Sequence, residues 1–298
     1  MMVRYLALLL SVALTLSGSA ALAGDASRIV SIGGAVTEIL YALGADKNIV
    51  GIDSTSVYPQ RALTEKPNVG YMRQLSAEGV LGLRPSLILA SEGSGPRETI
   101  AVLKAAQVPI TVVPDVFSGE GIVEKVRVVA NVVGATERGA CIADAVRGDL
   151  DQLGKLRGKV TRSKRVMFVL SIVGGRAMVS GNHTAADGII AMAGGVNAVT
   201  DYDGYKTLTD EAIIAARPDI VLTIERGGPN PVGAKELFLL PAFSATPAAA
   251  KSSLIAMDGL YLLGFGPRTA RAARDLTLKL YPELAGSVTE TAAKTCPD

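Results

Sequence analysis

QLSAEGVLGLRPSLIL, Gln74–Leu89, lies over TLTDEAIIAARPDIVL, Thr207–Leu222, without a gap, at a constant offset of 133 positions. Leu75 matches Leu208, Ser76 matches Thr209, Glu78 matches Glu211, and Arg84-Pro85 matches Arg217-Pro218. Each copy has a hydroxyl N-cap, an acid in the first turn, an apolar helix face, a proline stop and an apolar run of strand length. A shared helix–loop–strand grammar, met twice by convergence, would explain part of this. The gapless pairing points further, to two related lobes.

The flanking chain repeats the same alternation. Strand character falls at Arg28–Ile32, Asn48–Ile52, Ser86–Ala90 and Pro109–Val113, and helical character at Thr37–Gly44, Arg97–Gln107 and Gly119–Val133. The pattern restarts after Lys164, with strands at Arg165–Ile172, Asp219–Ile224 and Ser253–Met257 and helices at Ala185–Ala193 and from about Pro267 to Leu280. Such alternation predicts α/β lobes with mainly parallel sheets, Rossmann-like in build. Between them runs Glu137–Lys159, long, free of proline and helix-compatible. At ~1.5 Å per residue it spans about 30 Å, a stiff strut rather than a flexible linker. The expected division is a leader at 1–23, a first lobe at 24–135, a connecting helix at 136–159 and a second lobe at 160–298, with a ligand cleft between the lobes.

Arg4, an apolar run at Tyr5–Leu16 and the small-residue site Ala21-Leu22-Ala23 read as a secretory signal peptide. The run is shorter than the roughly 20 residues that span a bilayer. No cysteine follows it to take a lipid anchor. The mature chain is therefore expected outside the cytoplasm. The full chain's net charge of +2, one unit of it from the leader, argues against nucleic acid as a partner. Cys141 and Cys296 admit either a disulfide or two unpaired thiols.

Enzyme readings are thin. His183, in SGNHTAADG, is the single histidine, and no nucleophile elbow accompanies it. A histidine cluster for zinc cannot be assembled from it. SIGGAVTE follows the first strand but lacks the dinucleotide glycine spacing.

Tyr71 and Arg73, in NVGYMRQLS, stand on a glycine-led loop just before a helix start. A phenolate is a hard oxygen donor suited to ferric iron, and tyrosine serves as an axial ligand of haem. A guanidinium two residues away would favour the charged oxygen. The bland alternative is a packed loop aromatic. Arg226, in TIERGGPNP, follows a strand, where open α/β sheets bind ligands. Lys206 sits on the echo of the Tyr71 loop, at the position matching Arg73. Three cations could thus meet carboxylates in one cleft.

With SIGGAVTEILYALG, GYMRQLSAEGVL, RPDIVL and MDGLYLLGFGPR, the chain from Arg28 to about Leu284 resembles the periplasmic binding proteins built of two lobes and a long connecting helix. These serve ABC importers of siderophores, cobalamin and haem, and the quoted segments are most similar to the haem-binding branch. The resemblance implies a non-enzymatic periplasmic carrier, monomeric, that takes haem and delivers it to an inner-membrane ABC permease dimer with its ATPase. An outer-membrane haem receptor would act upstream. It implies Tyr71 as axial iron ligand, with Arg73 and Arg226 bonding the tyrosine oxygen or the propionates. Some members take a second ligand from a histidine of the other lobe or hold two stacked haems, which points to His183. It also implies permease docking through one exposed glutamate per lobe, matching Glu78 and Glu211. Both acids equally suit helix-dipole compensation, about 0.3–1 kcal/mol at an exposed site. The alternatives are a ferric-siderophore or cobalamin carrier of the same class, and an exported α/β hydrolase.

Overall fold

The computed structural model describes residues 25–225, 233–287 and 296. The leader expected at 1–23 lies outside the described residues.

The first half runs β1 (Ile29–Ile32), α1 (Gly34–Ala42), β2 (Ile49–Ile52), α2 (Arg61–Glu65), α3 (Ala77–Leu81), β3 (Leu87–Ser91), α4 (Arg97–Ala105), β4 (Ile110–Val113) and α5 (Gly119–Val132). Its four strands form one parallel sheet in the order β2-β1-β3-β4. β1 and β3 are buried along their whole length, as uninterrupted apolar runs in a parallel sheet require.

One long helix, α6 (Thr136–Arg157), then leads to the second half. There follow β5 (Arg165–Val173), β6 (Arg176–Ser180), α7 (Ala185–Met192), β7 (Val196–Asn197), β8 (Tyr205–Thr207), α8 (Asp210–Ala216) and β9 (Ile220–Glu225). The chain closes with α9 (Ala234–Leu239), α10 (Pro241–Ser244), α11 (Pro247–Ala250), β10 (Leu254–Asp258), α12 (Gly259–Leu263) and α13 (Thr269–Leu280). The second sheet has the order β10-β9-β5-β6-β8, with β7 alongside β5. β10, β9, β5 and β7 are parallel, whereas β6 pairs antiparallel with both β5 and β8. The two-lobed, mainly parallel architecture agrees with the sequence. The antiparallel β6–β8 edge was not legible there, because β6 is half exposed and β8 is three residues long.

The repeat extends to individual hydrogen bonds. Ser76 caps α3 by accepting from the Gly79 amide, and Thr209 caps α8 by accepting from the Ala212 amide, at 3.3 Å in both. After each Arg-Pro step a side chain binds the start of a neighbouring strand. Ser86 accepts from the Arg28 amide at 3.0 Å, and Asp219 from the Arg165 amide at 2.9 Å. The guanidinium of each arginine turns back to the helix end: Arg28 donates to the Arg84 carbonyl, Arg165 to that of Ala216. These carbonyls would otherwise lack partners at the helix termini.

The lobes share a core. Ile29, Val36 and Leu89 of the first half belong to one continuous buried cluster with Phe168, Ile189 and Leu276 of the second. α6 supplies Ile142, Val146 and Leu153 to it. Gly139 lets α6 approach α5, since a Cβ there would meet the Ala130 Cβ at 2.2 Å. Asp149 on α6 holds Arg271 of α13 at 2.8 Å. The choice left open for the cysteines is decided: Cys141 on α6 and Cys296 form a disulfide with Cα atoms 5.8 Å apart. The connecting helix is therefore packed from both sides.

Candidate ligand cleft

The first wall is built at the carboxyl ends of β1 and β2. Asp53, fully buried, accepts from the Gly33 amide, the Thr55 amide and hydroxyl, and the Ser56 hydroxyl, at 2.7–2.9 Å. This pins the start of α1 to the loop after β2. The chain returns beside β2 through a parallel bridge between Ile52 and Asn68. It then passes Gly70, whose φ of 95° needs a glycine, into a turn closed by the Gln74 amide on the Tyr71 carbonyl at 2.8 Å. Gly95 fixes that turn from the other side, donating to the Met72 carbonyl and accepting from the Leu75 amide, at 2.9 Å each. Tyr71 is thus held by its backbone while the residue stays 42% exposed. Tyr58, on the neighbouring loop, is also 42% exposed.

The second wall centres on the amino end of α7. Tyr205 packs edge-on against Phe168, with ring centroids 6.4 Å apart. Burial pushes its phenol above the ordinary pKa; hydrogen bonding with Thr184 and the positive charge of Arg73 hold back part of the rise. The Arg73 charge of the first lobe thus reaches Tyr205 of the second. Nearby, Gly188 of α7 meets the first lobe, where an added Cβ would lie 2.7 Å from the Phe117 carbonyl oxygen.

His183 sits on the same lip, two residues before α7, in the left-handed region at φ 54°. Its Nδ1 lies 3.0 Å from an Asp203 carboxylate oxygen, and its side chain is 83% exposed. With Nδ1 engaged, Nε2 is the nitrogen left to bind a ligand. Asp203 and Gly204 pair with Asn182 and Gly181, so the His183 and Tyr205 loops lie side by side.

The other site residues separate. Lys206 is one residue from Tyr205 on a strand, so it points to the opposite face. Its ammonium stands 4.8 Å from the centre of the Tyr202 ring. Arg226 lies outside the described residues, directly after Glu225 at the carboxyl end of β9. Glu78 and Glu211 are exposed in the first turns of α3 and α8. Hydrogen bonding to its own amide and to Thr209 holds the Glu211 carboxyl below the usual range.

The sequence reading did not single out Tyr205, Tyr58, Glu38 or Arg268. A charged residue in the apolar run TEILYALG was a signal for Glu38, and the echo GYKT contained Tyr205. Among the described residues no group of three or more His, Cys, Asp or Glu could hold a bare metal ion. A single oxygen donor with a guanidinium two residues along the same turn fits an anionic ligand that brings its own metal.

Two lobes on a shared helix, with a ligand cleft between them, define a solute-binding protein. Residues 29–260 match the periplasmic binding protein family, and the chain belongs to it. It is a substrate-binding protein and not an enzyme. The periplasmic haem-binding protein RhuT from Roseiflexus sp. RS-1 is similar at 40% identity and a TM-score of 0.81, over 86% of this chain and 98% of that one. The periplasmic haem-binding protein BhuT, solved with two haems, is similar at 39% identity and a TM-score of 0.81, over 87% of this chain and 99% of that one. A vitamin B12-binding protein of Yersinia pestis (strain Pestoides F) is 26% identical over 220 residues, 74% of this chain and 75% of that protein.

Proposed function

We propose that the protein captures ferric haem in the periplasm, with Tyr71 as axial ligand, and hands it to an inner-membrane ABC permease and its ATPase. The carrying observation is the Tyr71 turn: an exposed tyrosine on a braced backbone, with Arg73 two residues on and its charge felt at Tyr205 of the other lobe. Binding iron would displace the phenol proton, and a guanidinium nearby favours the resulting anion. Arg226 would pair with a propionate. His183 would supply a second ligand, to the same iron or to a second stacked haem. The similarity to RhuT and BhuT supports haem as the cargo. Residues 1–23 would direct export and be removed near Ala23. The carrier would act as a monomer, with a receptor in the outer membrane feeding it.

The test is a haemin titration followed by absorption. A saturable Soret shift with a tyrosinate charge-transfer band is expected. The Yersinia relative favours one second reading, a corrinoid carrier. Binding of cyanocobalamin with no Soret change on haemin would select that reading and overturn ours.

A further inference from the structure

The two lobes are also clasped between α1 and the loop before α13. Glu38 lies in α1 of the first lobe with its side chain only 6% exposed. Arg268, 230 positions later in the loop before α13, holds both of its oxygens: Nε to Oε1 at 3.0 Å and Nη2 to Oε2 at 2.9 Å. The Arg268 backbone amide adds a third bond to Oε1 at 3.3 Å. The guanidinium carbon stands 3.4 Å from the centre of the Tyr58 ring, from the first lobe, and 5.3 Å from that of Tyr261, from the second. Burial disfavours the Arg268 charge, yet bonding to Glu38 and the Glu38 charge raise its pKa overall. There is little slack beside it. A Cβ on Gly34 would lie 2.5 Å from Leu260 Cδ1, and one on Gly266 would lie 3.4 Å from Glu38 Cδ.

We infer that Arg268 is a positioning residue for the cleft: its grip on Glu38 and Tyr58 sets the angle between the lobes. Opening the lobes at this point means parting a bidentate pair and an aromatic stack together, leaving a buried carboxylate unpaired. Such a loss is expensive in a desolvated site. The clasp therefore acts as a latch beside the shared core, and adds to that core a bidentate restraint on the gap between the Tyr71 turn and the Tyr205–His183 lip. Tyr58 joins latch and cleft directly, being both the stacking partner and an exposed aromatic of the first wall. Its consequence for ligand release rests on the haem-carrier reading; the latch itself does not.

The experiment reads lobe separation without ligand. Nitroxides at V102C on α4 and K251C after α11 report one exposed site per lobe, and the native cysteines are paired and do not react. Pulsed dipolar spectroscopy should give a narrow distance distribution in the parent. R268A should broaden or shift it, and R268K, which keeps a charge but not the bidentate planar grip, should lie between. If R268A does not fold, E38Q is measured instead and should broaden the distribution too. Where haem binds, R268A should also release it about tenfold faster, the change appearing in the off-rate, with the tyrosinate band unchanged. A parent-like distribution in a folded R268A or E38Q overturns the inference, even if the melting temperature falls. If the parent binds no haem, the distances still decide the latch.

Discussion

Arg84 and Arg217, 133 positions apart, hold the same left-handed turn, with φ of 48° in one and 44° in the other. Each amide bonds the carbonyl three residues back, Leu81 in one lobe and Ile214 in the other. The residue before a proline is pushed out of the right-handed helical region, so neither helix runs past its arginine and a strand follows. Two positions that agree in so uncommon a conformation place their neighbours in corresponding positions as well. Glu78 and Glu211 thus start equivalent helices.

That equivalence gives the first prediction. E78A with E211A should leave ligand affinity unchanged and lower carrier-stimulated ATPase activity several-fold in vesicles holding the permease. Charges at a rim steer encounter and register more than they deepen binding. Raised salt should weaken parent docking toward the mutant level. Full transport by the double mutant would reduce both residues to helix-dipole acids.

Tyr71→Phe keeps the ring and removes the oxygen. Ferric haem affinity should fall by more than the roughly 10–100-fold that follows loss of an outer partner of a metal ligand. The tyrosinate charge-transfer band should vanish. Optical titration checks both, and an unchanged band would assign the iron to another donor.

Arg73→Ala should act more gently. A charge-assisted hydrogen bond contributes about 1.5–3 kcal/mol, so affinity should drop by roughly 10–100-fold, with the tyrosinate band shifted rather than lost. The same substitution should raise the Tyr205 pKa, since the Arg73 charge lowers it in the parent. Ultraviolet titration of the phenols, compared with Tyr205→Phe to identify the group, measures that shift.

Asp53→Ala should be the most damaging of the substitutions away from the ligand. It leaves the Gly33 amide, the Thr55 amide and two hydroxyls without their buried acceptor. Orphaned buried donors cost about 1–3 kcal/mol each when water cannot reach them, so a loss of about 3 kcal/mol or more is expected in urea unfolding. A midpoint within error of the parent would mean that water replaces the carboxylate.

Removing the Cys141–Cys296 disulfide should lower unfolding stability by about 2–4 kcal/mol. Ligand affinity should hardly change, because the Tyr71 turn is braced by its own loop and by Gly95. Thermal melts with and without reductant, and of the double serine variant, test the first part; titrations test the second.

The sequence by itself determined the two-lobed α/β plan, and it did so through short-range chemistry. Caps, proline stops and apolar runs act within one helical turn or one strand, and they recur at Gln74–Leu89 and Thr207–Leu222, so the repeat is visible without coordinates. It also placed Tyr71 and Arg73 together on one turn, since they are two residues apart. The tertiary structure alone decided what depends on residues distant in the chain. It paired Cys141 with Cys296, which sequence left open. It brought Arg268 to Glu38 across 230 positions and put Tyr205 within reach of the Arg73 charge. It set Lys206 over Tyr202 on the far face of a three-residue strand, although its alignment with Arg73 had suggested a shared cleft. Local hydrogen bonding and hydrophobic period are written in consecutive residues, whereas a cleft is made of side chains that meet only after two sheets pack on one helix.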